Sequence, residues 1–247
     1  MHMSGHSTRR AALGFGVAVG VGTLVGCGTS TDSDTGTKAE QSSPAPSEPA
    51  VTNPEEALAR LKAGAARFTS GGVVRPDQDV AYRAALAAGQ HPFAAILSCA
   101  DSRVPPEIVF DQGLGDLFVA RTAGQVVDHA VLGSIQYGIA ELKIPLLVVL
   151  GHEKCGAVKA TIEAVEKKSA VSGTDIDALV AAIKPAVEEE EEAGASDLVD
   201  AVVRRNAANI VVALGKKPIL GEAVAAGSLQ IVAARYDLDA GTVEFLT

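Results

Sequence analysis

Two short apolar runs each end in side chains that bind soft metal ions, and this arrangement constrains the fold more than any other feature. The first run, residues 93–97, leads to Cys99, and the second, residues 144–151, leads to His152 and Cys155. Apolar runs of this length are typical of strands buried in a parallel sheet. Open α/β sheets bind their ligands at the carboxyl ends of the strands. The sequence therefore predicts that these three side chains meet at one sheet edge.

Strand-like and helix-like segments alternate along the chain and predict its fold class. Asn53 is an N-cap ahead of Pro54, where an apolar stripe with helical spacing begins. Further helical patterns lie between the apolar runs, and this alternation predicts an α/β fold with a parallel sheet flanked by helices. A closing strand pair, residues 229–236 and 242–246, adds an antiparallel edge to the sheet.

The charge balance excludes one class of partner. The 247 residues carry a formal net charge of −9, without a basic stripe that could neutralise phosphates, so we expect no nucleic-acid partner. Residues 188–192 are an acidic run, which we interpret as the solvated face of a helix. A metal or partner site on that run is the less favoured interpretation.

The first 26 residues are typical of an export signal. Arg9 and Arg10 precede residues 11–26, which carry no charge and are too short and too weakly apolar for a comfortable membrane span. This pattern is similar to a twin-arginine signal, and residues 24–27 are similar to a bacterial lipobox that ends in Cys27. A plain signal peptide or a weak membrane anchor is the alternative.

This pattern predicts three parts of the chain and a location. Residues 1–26 are the signal peptide, residues 27–53 are a disordered tether rich in small polar residues, and residues 54–247 are the folded domain. Acyl chains on Cys27 would anchor the protein to the outer face of the bacterial cytoplasmic membrane, and the lipid is its only membrane contact.

The cysteine and histidine set predicts a catalytic zinc site. Two thiolates and one imidazole match zinc sites that keep a fourth position open. A structural site would normally have a fourth Cys or His, and the only other histidines of the domain, His91 and His129, could in principle be recruited. Three cysteines are not a disulfide framework, and a redox role is disfavoured because the chain lacks a Cys-x-x-Cys pair.

Asp101 and Arg103 follow Cys99 on the same predicted loop. An open zinc position lowers the pKa of water to about 7, so the expected chemistry is hydrolytic or hydrating. Asp101 could orient the attacking water while Arg103 holds the carboxylate in a bidentate pair. It could instead become the fourth metal ligand and close the site, or form an ordinary surface ion pair with Arg103.

Four motifs together resemble the β-class carbonic anhydrase family. They are Gln90-x-Pro92, Cys99-x-Asp101-Ser102-Arg103-Val104-Pro105, Gly113-x-Gly115-Asp116-Leu117-Phe118-Val119-x-Arg121-x-Ala123-Gly124 and Gly151-His152-x-x-Cys155-Gly156-Ala157. The resemblance implies a Zn²⁺ enzyme that interconverts CO₂ and bicarbonate without a further cofactor. It also implies four parallel core strands plus an added edge strand, in a homodimer or larger homo-oligomer.

The resemblance also implies roles for individual residues. Cys99, His152 and Cys155 match the zinc ligands, and Asp101 and Arg103 match the catalytic pair. The positions that match substrate contacts are Gln90, as a hydrogen-bond donor, and Phe118, Ala123, Tyr137 and Gly156, around the CO₂ pocket. Pocket residues in this family can come from a neighbouring subunit. The chain departs from the family's frequent residues at Thr122, Gln125, Glu153 and Lys154.

Two other functions fit the same residues. One is a non-catalytic zinc protein at the cell surface, in which Asp101 permanently closes the metal site. The other is a related zinc hydrolase that acts on a CO₂-like molecule such as carbon disulfide.

Replacing both Arg9 and Arg10 by Lys should keep the protein inside the cell, because the paired arginines are what a twin-arginine exporter recognises. Fractionation and immunoblotting of the wild type and the double variant measure the effect. Unchanged export of the variant would contradict the predicted signal type.

Overall fold

One five-stranded sheet organises the part of the chain that the computed structural model describes, residues 51–167 and 173–246. The strands are β1 (Ala94–Cys99), β2 (Leu117–Thr122), β3 (Leu146–His152), β4 (Gln230–Tyr236) and β5 (Val243–Leu246). Their order is β2–β1–β3–β4–β5. The first four are parallel and β5 is antiparallel to β4. The predicted α/β fold, with four parallel strands and one added edge strand, is confirmed.

Helices connect these strands and pack on the sheet. Within the same ranges they are α1 (Pro54–Ser70), α2 (Val80–Ala85), α3 (Pro106–Val109), α4 (His129–Glu141), α5 (Gly156–Glu166), α6 (Ile176–Ala193), α7 (Leu198–Gly215) and α8 (Pro218–Ala225), with 3-10 turns at Leu86–Ala88 and Ala123–Gln125. The Asn53 side chain accepts from the Glu56 N–H at the start of α1, and Gly71 ends that helix with φ +76°. These are the N-cap and C-cap that the sequence predicts.

Helices cover both faces of the sheet, which explains why the central strands are continuously apolar. Every residue of β1 and β3 is buried. On one face Ile96 and Val148 pack with Leu61 of α1 and with Phe110. On the other face Leu97 and Val149 pack with residues of α4, α7 and α8, which are Ile135, Leu214 and Leu220. A parallel sheet buried on both sides needs apolar residues on both faces of each strand.

A third apolar cluster lies at the carboxyl ends of the strands. It joins Cys99 and Cys155 to Ile162 of α5, Ile183 of α6 and Val203 of α7. Helices α5, α6 and α7 therefore shield the two thiols from solvent.

The predicted signal peptide, Cys27 and the tether as far as residue 50 lie outside the described residues. Val51, which the sequence places in the tether, packs against the core of the sheet. Among the described residues, none of the helices is both long enough and apolar enough to cross a membrane. The acidic run lies on α6, where Glu190 pairs with Arg205 of α7 at 2.6 Å.

The packing of α1 predicts a clear effect of one methyl group. A Cβ at Gly64 would lie 1.8 Å from the Phe110 carbonyl oxygen, whereas a Cβ at Gly133 of α4 would meet nothing within 4 Å. Both glycines are helical, so both alanine variants gain the same helix propensity and differ mainly in the clash. Gly64→Ala should lower the free energy of unfolding by about 1–3 kcal/mol, and Gly133→Ala should raise it by about 0.5–1 kcal/mol. Urea denaturation measures both, and equal stabilities would contradict the packing.

Candidate metal centre

Three predicted ligands meet at the carboxyl edge of the sheet. Cys99 is the last residue of β1, His152 is the last residue of the neighbouring strand β3, and Cys155 is the N-cap of α5. One ligand atom from each lies within 4.8 Å of the others, and all three residues are buried. The arrangement follows from parallel pairing, because the two strands end side by side.

The His152 ring is oriented with one nitrogen facing the cluster. Its Nδ1 lies 2.9 Å from the Glu153 carbonyl oxygen. That oxygen can only accept, so Nδ1 carries the proton and Nε2 keeps its lone pair. Nε2 is buried and has no hydrogen-bond partner among the described residues. Such a buried acceptor costs about 1–3 kcal/mol when it is left unpaired, and a metal ion would satisfy it.

The two thiols interact directly. A hydrogen bond between the side chains lowers the pKa of Cys99, and the same hydrogen bond, together with burial, raises the pKa of Cys155 above its usual range. The pair therefore shares a proton easily but gives up its last proton with difficulty. A divalent cation between the sulfurs would replace that proton, since metals bind the thiolate form.

Backbone N–H groups also point at both sulfurs. The Gly124 N–H donates to Cys99 Sγ at 3.3 Å, and the Asp101 N–H also acts on Cys99. Two N–H groups in the first turn of α5 act on Cys155 in the same way, and each of these contacts lowers the pKa of its thiol. These backbone contacts thus favour thiolates, and the donor set of two sulfurs and one nitrogen fits zinc.

Asp101 lies beside the cluster and is held by Arg103. Asp101 Oδ1 accepts from Arg103 Nε at 2.9 Å, and Oδ2 accepts from Nη2 at 2.7 Å. These hydrogen bonds hold the pKa of Asp101 well below its usual range. Oδ2 also lies 3.8 Å from His152 Nε2. The geometry is that of the orienting alternative, and direct ligation of the metal by Asp101 stays a prediction.

Arg121 fixes the loop that carries Cys99 and Asp101. From the end of β2 its Nε donates to the Cys99 carbonyl at 2.9 Å, and its Nη2 donates to the Asp101 carbonyl at 2.6 Å. The sequence contains Arg121 within a motif but does not reveal this role. The available signal was a charged residue at the end of an otherwise apolar strand.

Some of the predicted substrate residues lie at the carboxyl ends of the parallel strands, and the others lie toward the amino ends. Ala123 lies in the turn that follows β2, and Gly156 follows Cys155 at the start of α5, so both are at the edge that holds the cluster. Gln90 is exposed and precedes the amino end of β1. Since Cys99 ends that six-residue strand, about 20 Å of strand lies between the two edges.

Phe118 and Tyr137 belong to the amino side of the sheet. Phe118 pairs in register with Ala95, four residues before Cys99. The ring of Tyr137, on α4, lies 6.5 Å from the Phe118 ring between centroids, and Tyr137 is 51% exposed. The structure therefore places these two residues together, but away from the same chain's cluster.

Four residues differ from those frequent in the resembled family, and two of them, Glu153 and Lys154, connect the loop after His152 to the turn between β4 and β5. Glu153 Oε2 accepts from the Leu238 N–H at 3.1 Å, and Lys154 Nζ donates to Asp239 at 2.6 Å. Thr122 donates from its hydroxyl to the Val126 carbonyl, and Gln125 is buried in the Ala123–Gln125 turn. The contacts of Glu153, Lys154 and Thr122 hold the loops that follow β2 and β3.

Replacing Arg121 by Met should lower the free energy of unfolding by about 1–3 kcal/mol, because two carbonyl groups lose a charged donor. The exposed Arg83 of α2 is the control, and Arg83→Met should stay within about 0.5 kcal/mol of the wild type. Urea denaturation of the metal-free proteins tests this, and similar losses in both variants would contradict the role of Arg121.

Comparisons with known proteins agree with the geometry. A family model described as carbonic anhydrase matches residues 94–243. Carbonic anhydrase 2 of Mycobacterium tuberculosis is 45% identical over 190 residues, which cover 77% of this chain and 91% of that protein.

Solved structures give the same fold. The β-carbonic anhydrase CafA of Aspergillus fumigatus matches with a TM-score of 0.59 and 26% identity, over 78% of this chain and 89% of that chain. A structure from a study of two tetrameric β-carbonic anhydrases of Sordaria macrospora matches with a TM-score of 0.62 and 24% identity, over 78% of this chain and 95% of that chain.

Proposed function

This chain belongs to the β-carbonic anhydrase family, and on that premise we propose that it catalyses the reversible, zinc-dependent hydration of CO₂ to bicarbonate and a proton. The observation that carries the proposal is the convergence of Cys99, His152 and Cys155 on one buried point. The unpartnered Nε2 of His152 faces the same point, so each of the three residues offers a donor to one ion.

Cys99 Sγ, Cys155 Sγ and His152 Nε2 would hold the zinc ion. When bound, zinc with an open position acts as a Lewis acid that brings the pKa of a water molecule to about 7. The backbone N–H groups around the sulfurs stabilise the thiolate form that the metal would bind, and the Glu153 carbonyl keeps the His152 proton on Nδ1.

Asp101 orients the water that attacks CO₂. Its low pKa makes it a carboxylate at neutral pH, so Oδ2 accepts a hydrogen bond from that water and does not supply a proton. The bidentate contact with Arg103 fixes the direction of this acceptor. The same contact keeps both carboxylate oxygens engaged, which favours an active enzyme over a zinc protein closed by Asp101.

A second copy of the chain completes the substrate pocket. Ala123 and Gly156 lie at the carboxyl ends of the strands, beside the cluster of Cys99, His152 and Cys155. Gln90, Phe118 and Tyr137 lie toward the amino ends. β2 is an edge strand of the sheet, every one of its residues is half-buried, and Tyr137 beside it is largely exposed. A copy that packs on this side would cover these apolar groups and bring its own Gln90 amide to the substrate oxygen.

The enzyme acts outside the cytoplasm in this proposal, anchored by lipid on Cys27 to the outer face of the cytoplasmic membrane. The support is the sequence alone: the Arg9–Arg10 pair, the uncharged segment after it and the lipobox-like end.

Asp101→Asn should retain zinc and lose about 100-fold or more in CO₂ hydration, because the amide no longer provides the ionised acceptor. Cys155→Ala should lose zinc and activity together. Elemental analysis and stopped-flow hydration assays measure both effects. Wild-type rates in Asp101→Asn would remove the carboxylate from the mechanism, and full activity in Cys155→Ala would overturn the metal site.

Mixed oligomers test the shared pocket. Gln90→Ala and Cys155→Ala should each be nearly inactive alone, but a hybrid dimer has one site with intact ligands from the first chain and Gln90 from the second. Coexpression with random pairing should therefore restore about a quarter of the wild-type activity. A mixture no more active than the mean of the two variants would show that Gln90 acts within its own chain.

A further inference from the structure

A buried asparagine on α7 contacts the turn that supports one of the metal-binding sulfurs. Asn206 is 4% exposed and lies between apolar neighbours on α7, Val203 and Ala207, which are also buried. Its Nδ2 donates to the Gly124 carbonyl oxygen at 3.1 Å. Buried polar groups in an apolar layer are stable only when they are hydrogen-bonded, so this contact fixes the direction of the side chain.

Gly124 connects Asn206 to Cys99. The residue has φ +65°, and its N–H donates to Cys99 Sγ at 3.3 Å. The next residue, Gln125, also has a positive φ of 48°. Glycine adopts such an angle without strain, but Gln125 carries a Cβ and persists there only where its surroundings hold it. The Asn206 amide holds the carbonyl on one side of Gly124, while the sulfur accepts from the N–H on the other side.

The turn has little other freedom. A Cβ at Gly124 would lie 2.6 Å from Ile183 Cδ1 and 3.2 Å from the Ala157 Cβ, so α6 and α5 pack closely against it. These apolar contacts limit where the turn can lie, but only the Asn206 amide among these contacts sets the orientation of a peptide group. The carbonyl that Asn206 holds belongs to the peptide between residues 124 and 125, and the N–H that points at the sulfur belongs to the preceding peptide. The two are joined through the Gly124 Cα, so a fixed carbonyl restricts the backbone angles that direct the N–H.

We propose that Asn206 is a positioning residue for the metal centre, which acts through Gly124 to keep an N–H···S hydrogen bond on Cys99. This inference rests on the proposed function, because it assumes that Cys99 binds the metal. The hydrogen bond withdraws electron density from the thiolate and fixes its direction. Without Asn206 the sulfur donates more electron density, which changes its charge-transfer energy, and it also loses its fixed position. The loss of the fixed position makes the metal dissociate faster.

The test compares Asn206→Leu, which keeps a side chain of similar size but has no donor, with Asn206→Ala, which removes the amide altogether. Asn209→Leu is the matched control. Asn209 is on the same helix, but its amide donates to Glu189 at the surface, at 3.1 Å. Circular dichroism and thermal melting establish that each protein is folded before the measurements.

Two readouts report on the metal centre without the use of activity. Zinc release to a chromogenic chelator should be about 10-fold faster in both Asn206 variants than in the wild type and in Asn209→Leu. In the cobalt-substituted proteins, the sulfur-to-cobalt charge-transfer band should move to lower energy in the Asn206 variants only.

Folded Asn206 variants with the zinc release rate and cobalt band of the wild type would overturn the inference. A lower melting temperature with both readouts unchanged would assign Asn206 a purely structural role and would overturn it as well. Failure of the wild type itself to bind zinc or cobalt would instead contradict the proposed function. The two failures are therefore distinguishable.

Discussion

The parallel pairing of β1 with β3 is the constraint on which the rest of this structure depends. The register places Ser98 opposite Leu150, so the two strands end together and deliver Cys99 and His152 to the same edge. The pairing is specified by apolar residues on both faces, since both faces are covered by helices. A slip of one residue would exchange the two faces and separate the ligands. The metal centre is thus a consequence of how the core packs.

Backbone N–H and carbonyl groups set the protonation and orientation of the three side chains that would bind the metal. Two thiols in an apolar cluster would ordinarily resist ionisation, because burial disfavours the charged form. N–H groups from Gly124, from the Asp101 loop and from the first turn of α5 oppose that effect. Arg121 fixes two carbonyl groups of the same loop, and the Glu153 carbonyl fixes the His152 ring. The surroundings are arranged for a bound cation, and such outer contacts tune how tightly a metal is held.

Sequence patterns predict the scaffold and the meeting of Cys99, His152 and Cys155, for physical reasons. The runs that end at Cys99 and His152 are apolar because both faces of the strands are buried, and that burial is visible in the sequence. The N-caps at Asn53 and Asp128 are local and therefore also visible. The contact between Asn206 and Gly124 spans 82 residues and depends on how α7 packs, so no local pattern reveals it.

The substrate pocket shows a different limit of the sequence. Motif order places Gln90, Phe118 and Tyr137 near the ligands along the chain, but the three-dimensional structure places them toward the opposite ends of β1 and β2. A sequence does not distinguish contacts within one chain from contacts between two copies. The half-buried edge strand β2 supports the proposal that two copies share the pocket.

X-ray absorption spectroscopy at the zinc edge of the purified, metal-replete protein tests the central claim most directly. We expect one zinc ion per chain, with two sulfur neighbours at about 2.3 Å and the remaining neighbours nitrogen or oxygen at about 2.0–2.1 Å. A protein without stoichiometric zinc, or a zinc ion surrounded by nitrogen and oxygen alone, would contradict it.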